Sequence, residues 1–408
     1  MPMWQKTKNI YHLLVAIWAN LLYRFPSRNL VIVGVTGTDG KTTTVSLIYH
    51  ILKTAKLNVS MISSVGTIIN GKNYPLPFHV TTPSSLAIQK FLKMTLGNKS
   101  SRVKKFLVLE VTSHALDQYR TWGISFDVGV LTNVTHEHLD YHKSYENYVK
   151  TKSKLLKLAK TAVVNIDDDS YKIIKKIIPY GRLVTYGMNN NAKVNTKSIS
   201  YKTKLIGEFN KYNVLAAVST CRTLGVSDEI IRKTVESFEP PIGRQEIVYK
   251  NDFEVMVDFA HTPNSFEKIL APLRSKVKGR IIHVFGSAGQ RDSSKRPKMG
   301  NASSKYSDIM ILTSEDPRLE SVESIMDDIK SGVEGLKTRV KNNTITEIYD
   351  RQNAINSAIS MAQKGDMVLI TGKAHEKSMN YGNGEVPWDE YTAVKKALNF
   401  RKIKNEKN

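Results

Sequence analysis

The chain has 408 residues, which exceeds the usual size of one hydrophobic core and predicts two domains. Its 41% hydrophobic and 24% charged residues are typical of a globular protein, and a single cysteine, Cys221, excludes an internal disulfide and favours a reducing, cytoplasmic location. The net charge of +23 favours anionic partners, but the basic residues are scattered and form neither an aromatic–basic repeat nor a zinc-finger spacing. We therefore expect no role in nucleic-acid binding.

The first predicted element is a helix over the apolar run at residues 10–23, which follows Lys6 and Lys8. The run is shorter than the roughly 20 residues that a membrane-spanning helix needs. No small-residue cleavage site follows it, so we do not expect a signal peptide. Two roles stay open for the N-terminal apolar helical segment at residues 1–28. It packs on the next domain, or it makes a membrane-surface or partner contact through residues 9–25.

From residue 29 onward, short apolar runs that suit buried parallel strands alternate with helical patterns. A proline-rich segment at residues 239–244 marks a boundary, and a second series of strands and helices begins after it. The chain is therefore expected to form two tandem α/β domains, at residues 29–240 and 241–408.

The first strand runs into a glycine-containing loop, Thr36-Gly37-Thr38-Asp39-Gly40-Lys41-Thr42-Thr43, at the start of a predicted helix. Glycines let backbone amides face phosphate oxygens at a helix N-terminus, where the helix dipole also favours anions. Lys41 would reach the terminal phosphates of a nucleotide, and the Thr42 hydroxyl would bind a magnesium ion. The segment departs from the standard phosphate-loop pattern because Val35 occupies the first glycine position. Its strand–loop–helix context nevertheless predicts a phosphate site.

Two polar clusters follow later strands, EVTSHAL at residues 110–116 and TNVTHEHLDYH at residues 132–142. Binding sites of parallel sheets form at the carboxyl ends of the strands, which is where Glu110, His138 and Asp140 are expected. Magnesium prefers oxygen ligands, so Glu110 is the natural ligand and a lone histidine is less obvious. Each histidine alone is more often a packing residue, but four of them between residues 114 and 142 favour a functional cluster.

Together these motifs resemble those of the Mur ligases, most closely the MurE type, over roughly residues 29–398. The segment GTDGKTTT is shared with folylpolyglutamate synthetases, whereas the combination of TTPSS, EVTSHAL, HEHLDYH, DFAHTP and GKAHE is much narrower. The resemblance implies a central P-loop-type ATPase domain with a mostly parallel sheet, followed by a Rossmann-like C-terminal domain. It also implies an ATP- and Mg²⁺-dependent amide ligase of peptidoglycan precursor synthesis. Such a ligase adds a diamino acid to the D-glutamate of a muramoyl-dipeptide through an acyl phosphate and releases ADP.

The resemblance also assigns roles to the residues at the family's motif positions. The catalytic set is Lys41, Glu110, His138 and Lys152. The ATP-binding set is Gly37, Thr38, Asp39, Gly40, Lys41, Thr42, Thr43, Asn210, Asn213, Arg244 and Asp258. The muramyl-peptide-binding set is Thr81, Thr82, Pro83, Thr112, Gln118 and Arg120. The amino-acid-binding set is Arg291, Glu315, Asp316, Arg318, Gly372 and Glu376. The metal set is Thr42, Glu110, His138 and Lys152, with Lys152 carbamylated by carbon dioxide.

Four of these assignments leave an alternative open. Arg120 is also readable as a surface arginine, and Asp258 as a cap at the end of a strand. Lys152 is also readable as a solvated lysine on a helix face, as its neighbour Lys150 is. The segment matching residues 315–318 reads Asp-Asn-Pro-Arg in members that add meso-diaminopimelate, where the arginine pairs with the distal carboxylate. Here Arg318 is kept, but Asp316 replaces the asparagine, and an acid would repel a carboxylate and attract a lysine ammonium. We expect meso-diaminopimelate rather than L-lysine.

The chain departs from the family pattern at its N-terminus, since typical members carry a domain there that binds the UDP group. This sequence has about 30 residues before its first strand, so we expect the UDP group to be read elsewhere or replaced by another carrier. Two further functions remain open. One is a folylpolyglutamate synthetase-like ligase, which also lacks the UDP domain. The other is a non-catalytic, nucleotide-gated binding protein.

Overall fold

The computed structural model describes residues 3–75, 81–97, 103–135, 139–189, 191–334, 339–340 and 344–407. The chain forms two compact units, the first made of Met1–Lys204 and Glu208–Glu239 and the second of Leu205–Gly207 and Pro240–Asn408. Each unit is built on a mostly parallel sheet with helices, which confirms the predicted α/β class.

The first unit contains a sheet of eight described strands. They are β1 (Val31–Thr36), β2 (Asn58–Ser63), β3 (Gly66–Ile69), β4 (Lys72–Tyr74), β5 (Lys105–Glu110), β6 (Phe126–Leu131), β7 (Ala159–Asn165) and β8 (Leu183–Tyr186). Their order is β4-β3-β2-β5-β1-β6-β7-β8. The six strands β2-β5-β1-β6-β7-β8 are parallel to their neighbours in the sheet, whereas β3 is antiparallel to both β2 and β4. The carboxyl ends of β2, β5, β1 and β6 therefore lie side by side at one edge.

The described helices of the first unit cover the faces of this sheet. They are α1 (Met3–Tyr23), α2 (Lys41–Thr54), α3 (Ser85–Leu96), α4 (Ser113–Asp117), α5 (Leu139–His142), α6 (Tyr145–Leu158), α7 (Tyr171–Ile177), α8 (Glu208–Thr223) and α9 (Asp228–Ser237). The strands read as continuous apolar runs because both of their faces are buried. Leu107 and Leu109 of β5, for example, pack in one cluster with Ile88 and Leu92 of α3.

The N-terminal helix α1 packs on this unit through polar as well as apolar contacts. The Asn20 side chain is fully buried, donates to the Trp122 carbonyl at 2.8 Å and accepts from Gln89 Nε2 at 3.1 Å. Asn9 Nδ2 donates to Asp117 Oδ2 at 3.3 Å. Among the described residues, no helix is long and apolar enough to cross a bilayer.

The second unit contains a sheet of six described strands. They are β9 (Glu246–Lys250), β10 (Glu254–Asp258), β11 (Ile281–Phe285), β12 (Ile309–Leu312), β13 (Ile345–Glu347) and β14 (Met367–Thr371). The order is β13-β12-β11-β14-β10-β9, with only β9 antiparallel to its neighbour. A hairpin of β15 (Ser378–Asn380) and β16 (Glu385–Pro387) follows.

Helices and one buried ion pair complete the second unit. The described helices are α10 (Pro263–Lys276), α11 (Lys295–Tyr306), α12 (Val322–Ser331), α13 (Arg351–Met361) and α14 (Glu390–Lys407). Arg351 and Glu390 are fully buried and form a salt bridge of 2.5 Å. The same guanidinium donates to the carbonyls of Thr371 at 2.7 Å and Ser314 at 3.3 Å. It thereby joins the starts of two helices to the ends of β12 and β14.

Candidate active site

The loop between β1 and α2 packs so closely against its surroundings that two positions require glycine. Gly40 has a φ of 77°, and a Cβ at this residue would lie 2.1 Å from Asn213 Oδ1. A Cβ at Gly37 would lie 1.8 Å from Thr132 Oγ1. The close packing keeps the first amides of α2 together at the carboxyl end of β1, as an anion site requires.

Two polar residues that directly follow β6 hold this loop in shape. Thr132 Oγ1 donates to the Asp39 carbonyl at 2.6 Å, and Asn133 Oδ1 accepts from the Asp39 amide at 3.0 Å. The Asn133 carbonyl also accepts from the Thr38 amide at 2.9 Å. We did not predict roles for Thr132 and Asn133. The available signal was their position directly after an apolar strand that neighbours β1.

Glu110 lies at the carboxyl end of β5 with 1% of its surface exposed. Its carboxylate accepts from Thr42 Oγ1 at 3.1 and 3.2 Å and from the Ser64 amide and hydroxyl at 3.0 and 3.3 Å. Thr42 lies in the first turn of α2, after β1, and Ser64 follows β2, so the ends of three adjacent strands meet at this carboxylate. Ser64 was missed because a serine after a strand carries no motif.

A carboxylate and two hydroxyls are hard oxygen ligands of the type that Mg²⁺ prefers, so these residues fit a magnesium site. Lys41 Nζ donates to the Thr38 carbonyl at 2.7 Å and so lies over the phosphate loop. His138 lies outside the described residues. Within the described part of the chain, no group of three or more His, Cys, Asp or Glu side chains is placed to hold a metal ion.

Lys152 is buried on the inner face of α6, with 1% exposure. Its Nζ donates to the Gly37 carbonyl at 2.6 Å and lies 4.3 Å from the centre of the Tyr148 ring. The helix comes this close to β1 because Gly34 has no side chain, and a Cβ there would lie 2.7 Å from Leu155 Cδ1. Lys150, by contrast, points to solvent and pairs with Glu146.

Four of the six predicted muramyl-peptide residues form one hydrogen-bonded cluster. Thr82 Oγ1 donates to the Glu110 carbonyl at 3.0 Å and accepts from the Thr112 amide at 2.9 Å. Arg120 donates to the Thr82 carbonyl at 3.0 Å and to Gln118 Oε1 at 2.7 Å. Burial lowers the pKa of the Arg120 guanidinium. Thr81 is half-buried and Pro83 is buried beside them.

The two predicted asparagines lie one helical turn apart on α8. Both are buried, and Asn213 Nδ2 donates to Asn210 Oδ1 at 2.8 Å. The predicted Thr43 is also buried, in the first turn of α2. Asn213 packs against the loop between β1 and α2, since its Oδ1 would lie 2.1 Å from a Cβ at Gly40.

In the second unit, Asp258 is buried at the end of β10. Its carboxylate accepts from the amides of Gln245 at 2.7 Å and Ala260 at 2.6 Å. Burial raises the pKa of Asp258, and the charge of Arg244 acts in the opposite direction. The Arg244 guanidinium lies over the Phe259 ring at 4.7 Å. The two predicted residues, Asp258 and Arg244, therefore lie close enough for their charges to interact.

The segment after β12 carries an acid, Asp316, that forms an ion pair with a buried lysine. Asp316 accepts from Lys373 Nζ at 2.8 and 3.0 Å, and Lys373, which is fully buried, also pairs with Glu376 at 2.7 Å. Asp316 and Arg318 both have positive φ values, of 45° and 54°. Lys373 was not among the predicted site residues, because a lysine beside a glycine carries no sign of its distant partner.

Arg318 and Glu315 flank this pair. Arg318 is half-buried, and its Nη1 donates to the Gly289 carbonyl at 3.0 Å. Glu315 lies beneath Gly372, where a Cβ would be 2.1 Å from Glu315 Oε2. Burial raises the pKa of Glu315, and no described group forms a hydrogen bond with its Oε2. Arg291 is exposed.

Replacement of Gly40 by alanine tests whether close packing, and not only backbone conformation, shapes the phosphate loop. The control is Gly71→Ala, because Gly71 has a similar φ of 80° but no atom within 4 Å of its added Cβ. Backbone strain should lower the free energy of unfolding by about 1–2 kcal/mol in both variants. Only Gly40→Ala should lose a further ~1–3 kcal/mol and weaken ADP binding, as measured by urea unfolding and calorimetry. Equal losses in both would contradict the packing role.

Comparison with known proteins agrees with this arrangement. The Mur ligase middle domain matches residues 35–221, and the Mur ligase glutamate ligase domain matches residues 243–374. The UDP-N-acetylmuramoyl-L-alanyl-D-glutamate–2,6-diaminopimelate ligase 1 of Clostridium acetobutylicum is 36% identical over 401 residues, covering 93% of this chain and 80% of that protein.

Two solved structures share the fold. One is a UDP-N-acetylmuramoyl-L-alanyl-D-glutamate–2,6-diaminopimelate ligase, with 29% identity and a TM-score of 0.61 over 91% of this chain and 79% of that chain. The other is the folylpolyglutamate synthase of Mycobacterium tuberculosis, with a TM-score of 0.66 over 89% of this chain and 96% of that chain. At 14% identity, the second likeness shows the fold alone. The chain belongs to the Mur ligase family and is an ATP-dependent ligase.

Proposed function

We propose that this ligase adds meso-diaminopimelate to the D-glutamate of UDP-N-acetylmuramoyl-L-alanyl-D-glutamate, in peptidoglycan precursor synthesis. The observation that carries the proposal is the position of Glu110 between two clusters. Its side chain contacts Thr42 at the phosphate loop, and its carbonyl contacts Thr82 of the peptide-binding cluster. ATP and a peptide carboxylate bound at these two clusters would meet at one strand end.

The reaction expected at this site has two steps. A carboxylate oxygen of the substrate attacks the γ-phosphorus of ATP, the bond to the β-phosphate oxygen breaks, and ADP leaves. The amine of the amino acid then attacks the acyl carbon, the carbon–oxygen bond to the phosphoryl group breaks, and phosphate leaves. The amine also loses a proton. The first step brings two anions together, and Lys41 is placed to offset their charge.

Magnesium would be held by Thr42 and Glu110, and when bound it supplies positive charge to the phosphate oxygens. His138 remains a proposed third ligand. Arg120 has the planar fork that pairs with a carboxylate, and its present partners are neutral oxygens. It is therefore suited to orient the peptide.

We further propose that Lys152 acts as a carbamate. Its neutral amine would add carbon dioxide with loss of one proton, which converts a donor into a two-oxygen anion that suits magnesium. Support comes from its burial and its contact with the Gly37 carbonyl. An unmodified ammonium at this point would add positive charge but could not bind a metal ion.

The contacts of Asp316 support diaminopimelate as the amino acid. An uncompensated Asp316 would repel a distal carboxylate, but the buried Lys373 ammonium, which pairs with Asp316 and Glu376, offsets part of that repulsion. The half-buried Arg318 is then the residue of this segment suited to bind that carboxylate. Among the solved structures, sequence identity is also higher to the diaminopimelate ligase than to the folate enzyme, at 29% against 14%.

The function is tested by product mass. Purified protein with ATP, Mg²⁺, the UDP-muramoyl-dipeptide and an equimolar amino-acid mixture should yield one product, heavier by the diaminopimelate residue. Lys41→Ala should abolish it, whereas Lys53→Ala, at the exposed end of the same helix, should not. A parallel reaction with folate and glutamate should give nothing. Product in that reaction and none with the dipeptide would overturn the proposal.

Replacement of Lys152 by alanine should reduce turnover by at least about 100-fold, because the carbamate would contribute to phosphoryl-group binding. Formate or acetate, which supply a free carboxylate, should restore part of that activity. The matched control Lys150→Ala should retain full activity, since Lys150 lies on the exposed face of the same helix. If Lys152→Ala is fully active, or if carboxylates never rescue it, the carbamate role is wrong.

Arg318→Ala should lower kcat/KM for diaminopimelate by about 10²–10³-fold, and any weak use of lysine should change much less. Asp316→Asn should leave the preference for diaminopimelate in place, because the Asp316 carboxylate is already paired with Lys373. Kinetics with both amino acids provide the comparison. If Arg318→Ala lowers kcat/KM equally for diaminopimelate and lysine, Arg318 has a structural role and does not select the amino acid. A selective loss of lysine use in Asp316→Asn would show that Asp316 attracts an ammonium.

A further inference from the structure

An apolar stripe runs along the outer face of α1. At about 100° per residue, its six side chains fall within an arc of roughly 120° on the helix. The fractional exposures of these six residues are Ile10 59%, Tyr11 63%, Leu14 61%, Trp18 56%, Leu21 60% and Leu22 53%. Contiguous exposed apolar surface of this kind marks an interaction site, because water solvates it poorly.

The opposite face of α1 packs against the rest of the first unit. Ala16, Ala19 and Asn20 are fully buried, and Asn20 has hydrogen bonds to Trp122 and Gln89. The helix therefore cannot rotate its stripe inward without breaking these contacts. The stripe therefore stays exposed in the folded unit and is available to bind a partner.

The exposed charged residues of α1 and of the turn that follows it are all positive. Lys8 at one end and Arg24 and Arg28 at the other are exposed, and the first acidic residue of the sequence is Asp39. A second copy of the chain would bring equal charges of +23 together, which opposes association. An anionic surface, in contrast, offers both the opposite charge and an apolar layer beneath it.

We propose that α1 seats this ligase on the surface of an anionic lipid bilayer. The helix would lie parallel to the membrane plane, with the stripe at the boundary between headgroups and acyl chains. Trp18 and Tyr11 lie within the stripe, and such aromatic side chains favour that boundary. The cations at the two ends of the helix would contact the anionic headgroups.

Vesicle sedimentation with the full-length chain tests this proposal. The chain should bind vesicles that contain phosphatidylcholine and phosphatidylglycerol much more strongly than vesicles of phosphatidylcholine alone. Binding should weaken as the salt concentration rises. The triple variant Leu14→Gln, Trp18→Gln, Leu21→Gln should bind at least about tenfold more weakly. The control Leu158→Gln, Tyr180→Gln removes apolar side chains that are more than half exposed elsewhere in the same unit, and it should bind normally.

Arg24→Gln, Arg28→Gln keeps the stripe and should lose the preference for anionic vesicles. Far-UV circular dichroism and Tm should match the parent chain in every variant. Tryptophan emission of the intact chain should shift to the blue on binding, and Trp18→Phe should remove most of that shift. Equal binding to both vesicle types would overturn the anionic-surface assignment. No binding overturns the proposal, and dimers by light scattering that the triple variant abolishes would assign the stripe to a second copy instead.

Discussion

The burial of one carboxylate, that of Glu110, is the constraint on which the nucleotide side of this ligase depends. An anion removed from water is costly unless donors or a cation replace its solvent. Thr42 and Ser64 supply the donors, and each comes from the end of a different strand. The requirement to satisfy Glu110 therefore fixes the start of α2 beside β2 and β5. The same arrangement would present oxygen atoms to a magnesium ion, and the Glu110 carbonyl accepts a hydrogen bond from Thr82 of the proposed peptide-binding cluster.

The second unit uses buried charge for a different purpose. Arg351 and Glu390 are both sequestered from water, and Arg351 also satisfies the carbonyls that end β12 and β14. Those strand ends carry the Glu315–Arg318 segment and the Lys373 loop. Lys373 then pairs with Asp316 and Glu376 and offsets part of their negative charge. This pairing reduces the repulsion that Asp316, an acid that departs from the pattern of diaminopimelate-adding members, would exert on an amino acid with a second carboxylate.

Much of this arrangement is predictable from local sequence. Continuous apolar runs indicate the buried parallel strands, and the glycines before Lys41 indicate the loop, because both signals come from neighbouring residues. The Asp316–Lys373 pair joins residues 57 apart, and no local pattern reports it. Ser64 reaches Glu110, and Thr132 reaches the loop after β1, only because the strand order places β2 beside β5 and β6 beside β1. For α1, composition left packing and surface binding open as alternatives, whereas the structure has one face packed and the other exposed.

Phosphorylation of the substrate carboxylate by ATP can be followed with UDP-muramoyl-dipeptide whose D-glutamate side-chain carboxylate carries oxygen-18. Formation of the amide through an acyl phosphate should transfer one labelled oxygen to inorganic phosphate and leave the other in the product amide. Phosphate without label would exclude an acyl phosphate, and so would label in AMP, because either result requires a different activation of the carboxylate.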